Sequence, residues 1–368
     1  MKFSISRDAL LKPLNLVAGV VERRQTLPIL SNVLMVLEGD QLSLTGTDLE
    51  VELVGRVALP SPVSAPGEVT VPARKLVDIC KSLPEGSDIQ FTVEDGKVTV
   101  RSGRSRFTLS TLPAREFPAV EEGVGTHRFT VKQGQLRRLI DRTAFAMAQQ
   151  DVRYYLNGML LELKGGRLRV VATDGHRLAM CTLPSPVPVD EDTQVILPRK
   201  GVLELSRLLL EEDQDIAMVL GSNHLRATTD GFTFTSKLVD GKFPDYERVL
   251  PRAADKIVLG SRLELRQAFT RTAILSNEKY RGVRLKVAPD VIEIVANNPE
   301  QEQAEEQVSV DYQGDSVEIG FNVSYLLDVL GVLSGEQVKL SLSDPNSSAL
   351  LEESEDGDSL YVVMPMRL

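Results

Sequence analysis

Hydrophobic positions along the chain switch between two periods. Leu136, Leu139, Ile140, Thr143 and Ala144 recur at i, i+3, i+4, i+7 and i+8, the stripe of an amphipathic helix. Leu76, Ile79, Cys80 and Leu83 mark a second such stripe, and Leu326, Val329, Leu330 and Leu333 a third. After each stripe the pattern becomes apolar/polar alternation broken by turn pairs. Examples are Val93-Glu94-Asp95-Gly96-Lys97-Val98, Leu163-Lys164-Gly165-Gly166-Arg167-Leu168, Asp230-Gly231 and Asp356-Gly357. These predict antiparallel hairpins. The predicted order is strand, helix and three strands, taken twice. Pro13 falls inside the first helical stretch and predicts a kink or a late start there.

That order recurs on a larger scale. Phe3 returns as Phe129, Gly39 as Gly165, Thr47-Asp48 as Thr173-Asp174, Pro72 as Pro198 and Phe117-Pro118 as Phe243-Pro244, each pair 126 positions apart. A fainter third copy aligns Lys256 to Leu259 with His127 to Thr130, and Val317 to Asn322 with Val195 to Pro198. Three repeats of about 123 residues fill the 368-residue chain. Each is domain-sized, so they predict an α+β protein of three similar domains, 1–124, 125–253 and 254–368, each with two helices on antiparallel sheets. Sheet edges must be managed. Pairing them onto neighbouring domains removes them, and a ring is the natural closure.

Composition narrows the function. With 42 Lys+Arg against 52 Asp+Glu the formal net charge is −10. The 42% hydrophobic content excludes a disordered chain. No apolar run reaches the roughly 18 residues of a membrane helix, and the first residues lack the apolar stretch of a secretory signal, so the expectation is a soluble, cytoplasmic protein with no membrane partner. Cys80 and Cys181 form neither a disulfide framework nor a zinc site and are read as small buried residues. The basic residues nevertheless gather on the predicted helices: Arg137, Arg138 and Arg142; Arg262 and Arg266; Arg74, Lys75 and Lys81; Arg199, Lys200 and Arg207. Acidic residues cluster in predicted loops and strands, at Glu211 to Asp213, Glu300 to Glu306 and Glu352 to Asp358. Recurrence of the basic bias on equivalent helices points to weak phosphate contact without sequence preference.

Catalytic chemistry finds little support. In Thr173-Asp174-Gly175-His176-Arg177 an Asp and a His lie two apart, as an acid/base pair could, yet no activated nucleophile accompanies them. The first repeat has Leu49-Glu50 where the second has Gly175-His176. The competing reading is that His176 and Arg177 rim a surface pocket. No phosphate-cradling glycine loop and no spaced histidine partners are present, so neither a cofactor nor a metal is expected. The apolar carboxy-terminal segment, Tyr361 to Leu368 with Met364-Pro365-Met366, suits either a last core strand or an adaptable groove for partner peptides.

Taken together these residues resemble the bacterial DNA polymerase III beta subunits, the replication sliding clamps, along essentially the whole chain. The most specific stretches are Leu44 to Glu50, Arg101 to Phe107, Gln150 to Gly158, Ala172 to Arg177, Ala273 to Lys279 and Met364 to Leu368. The resemblance implies a non-catalytic processivity factor: a head-to-tail homodimer closing a six-domain ring around double-stranded DNA. By the same resemblance Phe107 would pack on Ile274 and Leu275 of a second copy, with Lys75 and the basic residues of 101–106 facing Glu300, Glu302 and Glu305. A peptide pocket would comprise Leu156, Thr173, Gly175, His176, Arg177, Leu178, Pro244, Arg248, Val249, Ser348, Val362, Val363, Met364, Pro365 and Met366. Arg24, Gln150, Tyr154, Tyr155, Arg199 and Lys200 would face DNA, joined by Arg138 and Arg142 from the charge pattern. The implied partners are the DNA polymerase III alpha subunit, the delta subunit of the clamp loader complex, other DNA polymerases and mismatch-repair proteins.

Overall fold

The computed structural model describes residues 1–21, 27–61, 66–118, 125, 127–184, 192–252, 254–354 and 357–367. Arg24, Asp356 and Leu368 lie outside the described residues. The first repeat runs β1 (Lys2–Ser6), α1 (Arg7–Ala18), β2 (Asn32–Glu38), β3 (Gln41–Thr47), β4 (Val51–Ala58), β5 (Gly67–Pro72), α2 (Ala73–Ser82), β6 (Asp88–Glu94), β7 (Lys97–Ser102) and β8 (Ser105–Ser110). The second runs β9 (His127–Lys132), α3 (Gln133–Asp141), β10 (Gly158–Lys164), β11 (Arg167–Thr173), β12 (Arg177–Pro184), β13 (Thr193–Pro198), α4 (Arg199–Leu208), β14 (Asp215–Leu220), β15 (His224–Thr228) and β16 (Phe232–Lys237). The third runs β17 (Lys256–Ser261), α5 (Arg262–Thr272), β18 (Gly282–Ala288), β19 (Val291–Asn297), β20 (Gln303–Asp311), β21 (Val317–Asn322), α6 (Val323–Val332), β22 (Gln337–Leu342), β23 (Ala349–Glu353) and β24 (Ser359–Val363).

The expected order of strand, helix and three strands, taken twice, therefore holds in every repeat. The register holds as well. Strands β10 to β13 and helix α4 begin and end 126 positions after β2 to β5 and α2. The pair Gly282 and Asn322 follows Gly158 and Pro198 at 124. The predicted tight turn between β6 and β7 has both central residues in the left-handed region, Asp95 at φ 49° and Gly96 at φ 70°, matching the twist of the flanking strands.

Two compact units emerge from the contacts, 1–135 with 200–238 and 136–199 with 239–368, so the division passes through the second repeat. In the first unit a four-stranded sheet, β1-β6-β7-β8, accompanies an eight-stranded one, β5-β2-β3-β4-β16-β15-β14-β9. In the second unit a twelve-stranded sheet runs β13-β10-β11-β12-β24-β23-β22-β17-β20-β19-β18-β21. Strand four of the first repeat (β4) thus pairs antiparallel with strand eight of the second (β16), and β12 pairs with β24 in the same way. Closing edges onto a neighbouring repeat, as the patterning implied, is what these two seams do.

Helix α1 starts at Arg7, directly after Ser6, whose hydroxyl accepts from the Ala9 N–H at 3.2 Å. The late start expected from Pro13 does not occur. Pro13 is buried against Gly55, where any Cβ would sit 2.9 Å from the proline ring, so the helix presses the sheet where a side chain is missing. Helix α3 ends at Asp141, sooner than the apolar stripe suggested. Thr143 continues the stripe in a turn, fully buried, its hydroxyl donating to the Leu139 carbonyl at 2.7 Å. Both cysteines are buried, and burial pushes each thiol up to about 11. No helix among the described residues is long and apolar enough to cross a membrane.

Candidate functional site

In the second unit, strands β10 to β12 are buried on both faces. One face carries Leu160, Val171, Leu178, Met180, Ile196 and Val362, and the segment 239–250 lies over it through Phe243 and Tyr246. The apolar layer stays open at one end, where the turn between β11 and β12 rises beside it. That turn is self-supporting: Thr173 Oγ1 donates to the Arg177 carbonyl at 2.6 Å, and Asp174 Oδ1 accepts from the His176 and Arg177 N–H groups at 2.9 and 3.1 Å. Gly175 at φ 90° takes a conformation costly for other residues, and a Cβ there would come within 2.9 Å of the Arg153 guanidinium.

The result is a cleft of about 160 Å³. Leu156, Thr173, Gly175, His176, Arg177, Leu178, Pro244, Val249, Val362 and Met364 line it, ten of the fifteen pocket residues expected. Arg248, Ser348, Val363, Pro365 and Met366 are absent from its lining. Val363 is a correction with a simple cause: successive strand residues face opposite ways, so Val362 enters the cleft while Val363 is fully buried on the other face. Arg248 points to solvent, its side chain 84% exposed, and pairs with Asp245 at 2.7 Å. The chain after β24 is tied down by Met364 N–H to the His176 carbonyl at 3.0 Å and Met366 N–H to the Gly320 carbonyl at 2.9 Å.

Arg177 does more than rim the cleft. Its guanidinium donates to Asp174 at 3.1 Å, to Asp328 at 2.5 Å and to the Phe145 carbonyl at 2.9 Å, and lies 4.4 Å above the Tyr325 ring. With both Asp174 oxygens engaged in holding this turn, the carboxylate is not arranged as the partner of a catalytic His176. Two cleft residues escaped sequence reasoning, Arg153 and Tyr246. Arg153 sits in a stretch already singled out, held by a bidentate pair with Asp151 whose carboxyl is pulled to about 2 by that side chain. Tyr246 carries no periodic signal because it lies in a short 3-10 turn, Tyr246–Arg248.

The basic helix residues are less free than their sequence positions implied. Arg142 lies beyond α3 and is 5% exposed, its guanidinium bridging Glu353 at 3.0 Å and Ser334 at 2.7 Å. Its expected place on an exposed DNA-facing surface is therefore corrected: the charge is neutralised inside the fold. Arg138 remains on the surface but makes a two-pronged contact with Asp358 at 2.6 and 3.2 Å. Lys200 pairs with Asp48. Arg262 caps the carbonyls of Leu330 and Gly335. Arg74, Lys75, Lys81 and Arg266 are exposed, as is Gln150, and Tyr154 is 56% exposed with its ring edge-on to half-buried Tyr155. Ile274 stands out at 75% exposure beside half-buried Leu275, and Glu300, Glu302 and Glu305 are exposed at the start of β20 and just before it. Phe107 is half-buried on β8 between exposed Arg106 and Thr108.

The chain matches three models of the DNA polymerase III beta subunit: the N-terminal domain over 1–121, the central domain over 130–245 and the C-terminal domain over 247–367. It is 69% identical to the beta sliding clamp of Pseudomonas aeruginosa and 54% identical to that of Escherichia coli K12, each over 100% of both chains. Among solved structures it superposes on the P. aeruginosa DNA polymerase III subunit beta with a TM-score of 0.98 at 69% identity, covering both chains fully. The same score, identity and coverage hold for a P. aeruginosa sliding clamp bound to griselimycin. A Caulobacter crescentus polymerase III beta, 42% identical over 100% of both chains, superposes with a TM-score of 0.94.

Proposed function

The chain belongs to the DNA polymerase III beta subunit family, the beta sliding clamps, and from that premise we propose that two copies pair head to tail as a ring that encircles duplex DNA and tethers the replicative polymerase. One observation carries the reading. At both internal seams the fourth strand of one repeat pairs with the eighth strand of the next, and this leaves the fourth strand of repeat three (β20) and the eighth of repeat one (β8). Among the described residues no strand covers the outer edge of β8, and Gln303 to Ser309 of β20 pair only with β19. A second copy completes the rule by joining β8 to β20 twice over, which closes six domains. Charge supports the match, with Arg104 and Arg106 on one edge and Glu300, Glu302 and Glu305 by the other; so do Phe107 and exposed Ile274 as apolar anchors.

Weak contacts from Gln150, Tyr154, Tyr155, Arg199, Lys200, Arg138 and Arg24 would let the ring slide, while closure prevents escape. The net charge of −10 discourages adsorption elsewhere. The cleft would take short peptide segments of the polymerase alpha subunit, the clamp loader delta subunit, other polymerases and mismatch-repair proteins, raising each one's effective concentration at the template without chemistry by the clamp itself. Domain boundaries fall near 124 and 253, and the setting is the cytoplasm. Solution mass at micromolar concentration tests the pairing. Twice the 40.5 kDa chain is expected, falling to one chain in Ile274→Asp. A single-chain mass for the unaltered protein would overturn it. Loaded rings should leave linear DNA fast and persist on closed circles, and equal residence times would contradict topological holding. Deleting residues 366–368 should abolish polymerase binding with the dimer intact.

A further inference from the structure

The face of the twelve-stranded sheet under segment 239–250 carries an apolar layer, and beside that layer runs a row that buries a charge. Gln194, Glu162, Arg169 and Thr182 are cross-strand neighbours on β13, β10, β11 and β12. Glu162 is 1% exposed. Such a carboxylate is costly unless fully partnered. It accepts from Gln194 Nε2 at 2.5 Å, from Arg169 Nη1 at 3.4 Å and, at 2.6 Å, from the hydroxyl of Tyr246. Arg169 in turn donates to that hydroxyl at 2.7 Å and to Thr182 Oγ1 at 3.2 Å. Burial, then the bond to Glu162, pushes the Tyr246 phenol up, so the proton stays on it.

Tyr246 therefore joins two places: it lines the cleft, and its hydroxyl is pinned to buried Glu162 and half-buried Arg169, neither of which lines the cleft. The turn that holds it, Tyr246–Arg248, also positions Val249, and Pro244 precedes it on the same wall. Among the described residues the other repeats lack the same set of side chains. At the equivalent register the first repeat has Glu68, Val36 and Ser43. The third has Glu318, Lys286 and Glu293, where Lys286 and Glu293 pair at 2.9 Å with the charges exchanged between strands and the Lys286 side chain 44% exposed. Only in the second repeat is the carboxylate of that pair buried and bonded to a tyrosine hydroxyl, among the described residues.

Resting on the reading of the cleft as a peptide-docking site, we propose that Glu162 and Arg169 are positioning residues: through the Tyr246 hydroxyl they set the wall of the cleft and hence its affinity for an inserted peptide. Griselimycin, with which a relative has been crystallised, serves as the probe in a titration against the full-length protein. Tyr246→Phe keeps the ring and removes the hydroxyl, and should weaken binding about tenfold, the effect of one hydrogen bond to a charged group. Glu162→Gln keeps an acceptor and should retain most of the affinity. Glu162→Val, the first repeat's residue, should match Tyr246→Phe, and the double variant should be no weaker than either single, because both remove the same contact. Affinity within twofold of the parent for Tyr246→Phe would overturn the proposal, even if Glu162→Val fails to fold. Additive losses in the double variant would overturn it too. Met364→Asp separates the two readings: if it leaves griselimycin binding unchanged, the docking reading of the cleft fails, whatever Tyr246→Phe does.

Discussion

The seams β4–β16 and β12–β24 share one backbone design and differ in their side chains. Each pairs five residues on each strand in equivalent register, Val51 to Gly55 with Phe232 to Ser236, and Arg177 to Cys181 with Ser359 to Val363. Each is closed at its ends by matching backbone bonds: Arg56 N–H to Gly231 O and Lys237 N–H to Glu50 O in the first, Thr182 N–H to Asp358 O and Met364 N–H to His176 O in the second. An aromatic ring is fully buried on each, Phe234 and Tyr361. Beyond this the first seam adds a neutral acceptor, Thr233 Oγ1, to Arg56 at 2.6 Å. The second adds Arg142–Glu353 and Arg138–Asp358, with Glu353 also accepting from the N–H groups of Ser334 and Gly335 at 2.9 and 3.3 Å. Backbone pairing with apolar packing and one neutral hydrogen bond thus joins the first two repeats. The partly buried Arg142–Glu353 pair makes the second junction sensitive to losing one partner, and that is the junction beside the cleft.

The sharpest way to break this contrast is Arg142→Ala, which leaves half-buried Glu353 without its cation, held only by Ser334 and Gly335. Denaturant unfolding should register a loss of about 2 to 3 kcal/mol. A loss near that of an exposed residue would show that the pair adds nothing to the seam. Acid should act next. Burial alone would raise the Glu353 and Asp358 carboxyls, but for Glu353 the Ser334 N–H and Arg142, and for Asp358 the Arg138 guanidinium, outweigh it and hold both below their ordinary values. Groups with a depressed folded pKa stabilise above their unfolded pKa and lose that contribution as pH falls through the folded one. Glu353→Gln should therefore be less stable than the parent at pH 7, with the gap shrinking below about pH 4; a gap that persists at pH 2 would remove the ionic explanation. The smallest effect belongs to the first seam. Thr233→Val removes one neutral acceptor and should cost about 1 kcal/mol, and a cost equal to that of Arg142→Ala would erase the distinction between the seams.

Much of the fold was legible from periodicity because helices and hairpins are specified by residues close in sequence. The six helices, the turn pairs among the described residues and the 126-residue repeat follow the pattern, apart from the early end of α3. The cleft was legible in part: its turn repeats a motif, Thr-Asp, found in the first repeat as well, where Leu49 at φ 77° and the bonds to Thr47 and Asp48 reproduce the geometry. Misjudged residues share a cause. Arg142 resembles an exposed helix residue until β23 supplies Glu353, 211 positions later, and Tyr246 is unremarkable until β10 supplies Glu162.

By itself the sequence determined the element types, their order, the threefold duplication and the family. Only the tertiary structure decided which cations are spent inside the fold, that Val362 and not Val363 enters the cleft, and that β8 and β20 keep an edge. Local order needs only neighbouring residues and backbone sterics. The partner of a buried charge or a strand edge is chosen by packing between segments far apart in the chain, and no local pattern encodes that choice.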